Sequence, residues 1–196
     1  MRVSISNLAW EVTEDVEVAN LLSAFNIDAI DIAPGKYFPE PTNATIADIQ
    51  TVKEWWQERG IDIIGMQALL FGTTGLNVFG SKSVQKKLLN HLVAVCRIGA
   101  GLGATRLVFG SPKNRDCSGL SVSQVQNISQ KFFRQLGDIA ADHGVIVCLE
   151  PNPSVYGANF MTTSFETCRV VHEIDHPAIK MQLDTCLLYT SPSPRD

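Results

Sequence analysis

Apolar and polar positions alternate along the chain with a period that switches repeatedly between two and about 3.6, and each switch marks a new element. Val3 and Ile5 alternate with polar neighbours in a first strand, after which Val16, Ala19, Leu22 and Phe25 recur at helical spacing. Ala29 to Ala33 reads as a short strand stopped by Pro34-Gly35. Thr45 has the chemistry of an N-cap for a helix through Ile49, Val52, Trp55 and Trp56, which ends at Gly60. Ile61 to Met66 forms a third strand. Ser83 to Ile98 forms a longer helix with Leu88, Leu92 and Val95 on one face, and Arg106 to Phe109 forms a fourth strand. Helical spacing returns from Ser123 through Ile128, Phe132, Leu136 and Ile139. Val145 to Leu149 is then a continuous apolar run of the kind buried on both faces. Ser164 to Ile174 is one more helix, closed by His176-Pro177, and Ile179 to Leu183 is a sixth strand.

Strict alternation of strand and helix with short connections predicts a parallel sheet, because every parallel pair needs a crossover and here each crossover is helical. A doubly wound sheet would carry a glycine-rich turn straight after its first strand, and Asn7-Leu8-Ala9-Trp10 is nothing of the kind. The glycines from Gly99 to Gly103 follow a helix and precede a strand, the wrong context for a dinucleotide fingerprint, and read as a helix terminus and turn. Unusual polar residues instead gather after the strands: Gly110 to Arg115 after the fourth, Glu150-Pro151-Asn152 after the fifth, Asp184-Thr185 after the sixth. That placement is how a TIM barrel builds its site. The expected fold is therefore α/β, an incomplete (β/α)8 TIM barrel with about six of its eight strands.

Residues 186–196, Cys-Leu-Leu-Tyr-Thr-Ser-Pro-Ser-Pro-Arg-Asp, lack helical period. They resemble, residue for residue, a translation of a transposon-type sequencing adapter. The expected division is thus a partial barrel domain over 1–185 and a non-native tail over 186–196. A barrel interrupted there would leave its first and sixth strands as edges and expose an apolar interior lining, which predicts aggregation or partial disorder.

Composition narrows the function. A chain of 196 residues, 45% hydrophobic and 18% charged, is long enough for one sizeable core. Its formal charge of -4 reads as mixed-sign segments with no basic stripe for a phosphate backbone, so nucleic acid is not an expected partner. The opening MRVSISNLAW is a strand signal and not a signal peptide, and no apolar run reaches membrane-span length. Cys96, Cys117, Cys148, Cys168 and Cys186 are scattered, without metal or disulfide spacing, which fits reduced thiols in a cytoplasmic protein.

Alternation in the fifth strand puts Ile146, Cys148 and Glu150 on one side and Val147 and Leu149 on the other. In the sixth, Lys180, Gln182 and Asp184 share a side opposite Met181 and Leu183. With the apolar partners against the helices, Glu150 and Asp184 both point inward at the tops of adjacent strands. Two such carboxylates raise each other's proton affinity unless a cation lies between them. Spacing alone leaves two readings open, a divalent-ion site or two strand-end acids that are solvated or paired with Lys113 or Arg115.

Three further stretches carry a resemblance. Leu149-Glu150-Pro151-Asn152, Tyr156 to Thr163 and Met181-Gln182-Leu183-Asp184-Thr185 resemble the fifth- and sixth-strand motifs of the sugar isomerase/epimerase superfamily with a xylose-isomerase-like barrel. Leu107 to Arg115 looks like the fourth-strand motif of a subgroup described as sugar phosphate isomerase/epimerase. The resemblance covers the chain up to Thr185. It implies one divalent metal ion, Mn, Mg, Co or Zn, held by Glu150 and Asp184 together with a histidine and a second glutamate from later strands that have no counterpart here. It also implies proton transfer beside a carbonyl through an enediolate, with Glu150 as one catalytic acid/base, on a small-molecule sugar, sugar phosphate or related polyol ketone. With the second acid/base missing, the fragment is expected to be inactive, and a homo-oligomer is possible for a full-length relative.

His91, His143, His172 and His176 lie in or beside helices or at the strand-entry side, and none is expected to complete the ligand set. Asn152 is a candidate to contact substrate or orient Glu150, or a turn residue between two prolines. The substrate glutamate that some epimerases carry before the Asn-Phe of this loop is absent, since Gly157-Ala158 stands there. Lys113 and Arg115 are candidates to hold a substrate phosphate or carboxylate, or to pair with an acid such as Asp116. Trp10 is a candidate wall for a sugar ring, or a core or rim residue, and Gln67 is a candidate contact. Of Trp55 and Trp56, at least one is expected against the barrel. Competing functions are a keto-inositol-type dehydratase, an apurinic-site endonuclease-like hydrolase, and a non-catalytic sugar-binding barrel.

Overall fold

The computed structural model describes residues 2–185, so Cys186 and the adapter-like stretch lie outside the described residues. Six strands form one parallel sheet in sequence order: β1 (Ile5–Ser6), β2 (Ala29–Ile32), β3 (Asp62–Met66), β4 (Arg106–Phe109), β5 (Ile146–Leu149) and β6 (Ile179–Met181). The crossovers carry α1 (Asp15–Ala24), a one-turn helix α2 (Pro34–Tyr37), α3 (Ile46–Gln57), α4 (Lys82–Leu102), α5 (Val122–Asp142) and α6 (Ser164–Ile174). This is the expected partial barrel, a curved parallel sheet with a helical layer outside it.

The helices begin where side chains can satisfy the orphan N–H groups of a first turn. Thr45 caps α3 in a reciprocal box with Asp48, Ser121 does the same for α5 with Gln124, and Ser81 and Thr163 cap α4 and α6. Gly103 ends α4 at φ +88°, a left-handed conformation that only glycine takes without strain.

The two faces of the sheet differ sharply. Ile30, Ile32, Ile63, Met66, Leu107, Phe109, Val147, Leu149 and Ile179 belong to the core cluster and pack under the helices. The residues between them in register line the inner face. Ser6 stands opposite Asp31, Asp31 opposite Gly65, Gly65 opposite Arg106, and Cys148 opposite Lys180. The interior lining is therefore mixed, with Ile64, Val108, Ile146 and Cys148 as its apolar part beside Ser6, Asp31, Arg106 and Lys180, and is less uniformly apolar than the sequence leads one to expect. A bulge between Ile30 and Asp31 brings Gly65 beside Asp31, where a Cβ would lie 1.9 Å from the carboxylate.

Two elements depart from the periodic reading. Val16 on α1 and Phe25 at its C-cap are exposed, and Asp15 takes the inward position beside Ala19 and Leu22, because its carboxylate accepts from Trp10 Nε1 at 2.7 Å and Tyr37 Oη at 2.8 Å. Strand β6 stops at Met181. One further ladder bond, Gln182 N to Leu149 O at 2.8 Å, extends it, and Leu183 is exposed instead of facing a helix. Trp56 is fully buried against the sheet, as expected of one tryptophan of its pair.

Candidate functional site

Strands β1, β3, β4 and β5 end around a cavity of about 730 Å³ on the C-terminal side of the sheet. Gln67 lines it beyond β3, Gly110 and Lys113 beyond β4, and Glu150 beyond β5. Exposed Leu8, Phe71 and Tyr156 add apolar surface. Among the described residues Glu150 and Lys113 are the only charged ones in this lining.

Glu150 is held by a relay from β4. Four residues, Pro112–Arg115, form a 3-10 turn that drives Arg115 fully inside. There Nη1 donates to the Glu150 carbonyl at 2.8 Å and Nη2 to Asn152 Oδ1 at 2.6 Å. Asn152 in turn donates from Nδ2 to Glu150 Oε2 at 3.1 Å. Opposite, Gly110 leaves the space the carboxylate occupies, since a Cβ there would stand 2.2 Å from Oε2. Burial pushes the Glu150 carboxyl above its ordinary value, and the nearby Asp184 charge pushes the same way. The Asn152 hydrogen bond and the Arg115 charge pull it back. Burial also draws the Arg115 guanidinium down to about 10, against the pull of Glu150 and Glu166.

Three loops are tied into one roof. Asn114 Nδ2 donates to Leu76 O at 2.9 Å and its carbonyl accepts from Val78 N at 2.8 Å, which joins the β3 loop to the β4 loop. Asn159 Nδ2 donates to Asp116 Oδ1 at 2.6 Å and its Oδ1 accepts from Cys117 N at 3.0 Å, which joins the β5 loop to the β4 loop. Phe79 and Phe160 stack edge to face across the same seam, 5.0 Å apart. Sequence reasoning missed Asn114 and Asn159. An asparagine in a loop reads as a turn residue, and only the fold shows that each bridges two chain segments.

The candidate residues fall into two groups. Glu150, Gln67 and Lys113 line the cavity, with Asn152 behind Glu150. Gln67 also hydrogen-bonds Ser6 across the inner face. Arg115 and Trp10 lie elsewhere. Arg115 is sealed from any ligand by its burial, so the phosphate contact considered for it does not form. Nor does either basic residue pair with Asp116, which is taken by Ser118 and Asn159. Trp10 is 8% exposed, with its ring edge against Trp56 at 6.3 Å and its N–H given to Asp15, which is the core alternative considered for it; the apolar surface of the cavity comes from Leu8, Phe71 and Tyr156. Asp184 lies just past β6 within electrostatic reach of Glu150.

Glu150 and Asp184 are hard oxygen donors whose charges oppose each other, which fits a divalent ion as half of a usual ligand set. Among the described residues no group of three His, Cys, Asp or Glu could hold a metal. His91, His143 and His176 are engaged with Leu69 O, Ile139 O and Asp138, away from the cavity. No helix among the described residues is long and apolar enough to cross a membrane.

Comparison with known proteins agrees with this architecture. A family profile described as xylose isomerase-like TIM barrel matches residues 19–193. A search of curated proteins gives no match. Among solved structures, D-psicose 3-epimerase from Clostridium cellulolyticum H10, determined with D-tagatose, superposes with a TM-score of 0.76 at 18% identity, over 96% of this chain and 65% of its own. The 3-keto-D-glucoside 4-epimerase YcjR from E. coli gives a TM-score of 0.76 at 17% identity, over 100% of this chain and 72% of its own. The IOLI protein, determined with a bound zinc atom, gives 0.70 at 16%, over 96% and 64%. At these identities the likeness establishes the fold, and the chain spans 65% and 64% of the first and third of these proteins.

Proposed function

The chain belongs to the xylose isomerase-like TIM-barrel family, and from that premise we propose that its site serves a metal-dependent isomerase or epimerase of a sugar or related polyol ketone. The observation that carries the reading is Glu150, a half-buried carboxylate fixed by Arg115 and Asn152 at the wall of a sugar-sized cavity, with Asp184 beside it. The epimerases among the similar structures, one of them determined with a sugar, and the zinc in another support it at the level of class.

In this reading Glu150 and Asp184 hold the divalent ion. When bound, the ion supplies Lewis-acid stabilisation of the negative charge that develops on a carbonyl oxygen. Glu150 removes or returns the proton on the adjacent carbon, a task suited to a carboxyl whose proton affinity is raised by burial. Gln67 and the backbone around Gly110 meet the substrate's hydroxyls, and Phe71 and Tyr156 shield it from water. Two donors bind a divalent ion weakly, so the chain alone is expected to take Mn²⁺ with an affinity on the order of millimolar and to leave ketoses unchanged. Titrating free Mn²⁺ by electron paramagnetic resonance tests this. Binding that weakens in both Glu150→Gln and Asp184→Asn supports the assignment, and binding indifferent to both substitutions contradicts it.

A further inference from the structure

Among the described residues Arg115 is the one charged side chain wholly shut off from water, at 0% exposure. It makes no ion pair with any of them. Its two hydrogen bonds go to neutral oxygens, the Glu150 carbonyl and Asn152 Oδ1, and its Nε has no partner. An apolar side chain of similar volume would serve packing better than a cation buried in this way. The role of Arg115 therefore lies in what its N–H groups hold.

Those groups decide the sense of an amide. A guanidinium only donates, so the Asn152 atom that faces it at 2.6 Å must be Oδ1. The other end of the amide, Nδ2, is thereby turned to Glu150 Oε2 at 3.1 Å. An ionised Glu150 only accepts, and requires the same sense. Once it carries a proton it can also donate, and that requirement lapses. At Arg115 there is no such freedom, because the reversed amide would set its NH₂ against the guanidinium. Asn152 is 6% exposed, so water does not stand in for either partner, and its backbone N–H goes to Met161 O at 3.0 Å. Oε2 is thus enclosed by Asn152 and by Gly110, whereas Glu150 Oε1 accepts from no described residue.

We infer that Arg115 is a positioning residue that acts on Glu150 through Asn152, holding the amide as a donor to Oε2 whether or not Glu150 is charged, and leaving Oε1 as the oxygen that meets an ion or a substrate. What Oε1 then meets rests on the proposed isomerase reading, but the sense of the amide does not.

Glu150→Gln separates the cation from the carboxylate as the cause. A glutamine keeps the shape and can give or take a hydrogen bond, so only Arg115 then fixes the amide. The scalar coupling across the hydrogen bond, from the Asn152 side-chain ¹⁵N to the side-chain carbonyl ¹³C at position 150, reads the sense in the full chain without metal or sugar. It is expected in the unsubstituted protein and in Glu150→Gln. It is expected to vanish when Arg115→Met is added to Glu150→Gln, and to persist when Arg115→Lys is added, since an ammonium is also only a donor. Mn²⁺ affinity is expected to fall about tenfold in Arg115→Met and less than about twofold in Arg115→Lys. Loss of the coupling in Glu150→Gln alone would overturn the inference, and that variant decides the matter even if Arg115→Met does not fold. A coupling that survives Arg115→Met, one lost with Arg115→Lys as well, or an Mn²⁺ affinity unchanged in Arg115→Met would also overturn it. An unsubstituted chain that shows the coupling and binds no Mn²⁺ would count against the isomerase reading and uphold the amide lock.

Discussion

The corner between β4 and β5 and the corner between β1 and β2 hold the same kind of object, a buried charge at a strand end surrounded by neutral hydrogen-bond partners. In the first, Arg115 is fully buried and its guanidinium reaches the Glu150 carbonyl and Asn152. In the second, Asp15 is 7% exposed and accepts from Trp10 and Tyr37, while Trp56 Nε1 donates to Tyr37 Oη at 3.2 Å. The first corner opens on the large cavity through Glu150. The second faces a smaller cleft of about 330 Å³ between α1 and α3 and fixes how those helices meet the sheet. The lesson is that bordering a cavity does not make a polar network a candidate site, since Asp15 also lines its cleft; the first corner stands apart because its cavity is larger and its carboxylate, Glu150, has a second acid, Asp184, within electrostatic reach.

Breaking each corner should have effects of different size. Arg115→Met leaves Asn152 Oδ1 and the Glu150 carbonyl without their donor, and removes a cation beside a half-buried carboxylate. Urea unfolding should show a loss of about 3 kcal/mol. Asp15→Asn keeps the shape and an acceptor while removing the charge, and should change stability by about 1 kcal/mol or less at neutral pH. The two should also differ in pH dependence. Burial raises the Asp15 carboxyl above its ordinary value, with the Trp10 and Tyr37 hydrogen bonds opposing. A group raised in this way contributes stability below its unfolded-state pKa and loses it as pH rises through the folded-state pKa. Relative to the unsubstituted protein, Asp15→Asn should therefore gain stability between about pH 4 and neutrality, and a constant difference over that range would contradict the role given to burial.

Gly110→Ala sharpens the comparison with a smaller effect on the fold. The added methyl falls on the Glu150 carboxylate and must displace it from Asn152. Stability should fall by only about 1 kcal/mol, because the displaced atoms end a side chain. Mn²⁺ affinity should fall about tenfold, the usual consequence of disturbing what orients a ligand. An unchanged affinity would mean that the position of Glu150 does not matter to the ion.

How much of this was legible in the sequence follows the same division. The strand and helix order was readable because each strand has one face in the core, so the period-two signal survived in Val147 and Leu149, and because caps such as Thr45 carry their own chemistry. Glu150 was readable as the inward residue at the end of a strand whose alternation is regular. Arg115 was not, because a 3-10 turn rotates successive side chains by about 120° and sends the third residue after Pro112 inward. Trp10 was ambiguous because an aromatic ring at a strand end looks the same whether it faces a ligand or a neighbouring helix. The phase of α1 was misjudged because a buried Asp15 contradicts the rule that apolar residues take the inward positions. A basic stretch from 63 to 115, with seven Lys and Arg and no Asp or Glu, was hidden by the overall charge, which averages over the chain.

The central claim is that Glu150 is a poised carboxylate prepared for a cation at this cavity. Its side-chain carbon can be followed by ¹³C nuclear magnetic resonance in the full chain, titrated with and without Mg²⁺. The account predicts that Glu150 titrates above the ordinary glutamate value without the ion, and that its titration moves to lower pH when Mg²⁺ is added. A Glu150 that titrates at or below the ordinary value and does not respond to Mg²⁺ would contradict it.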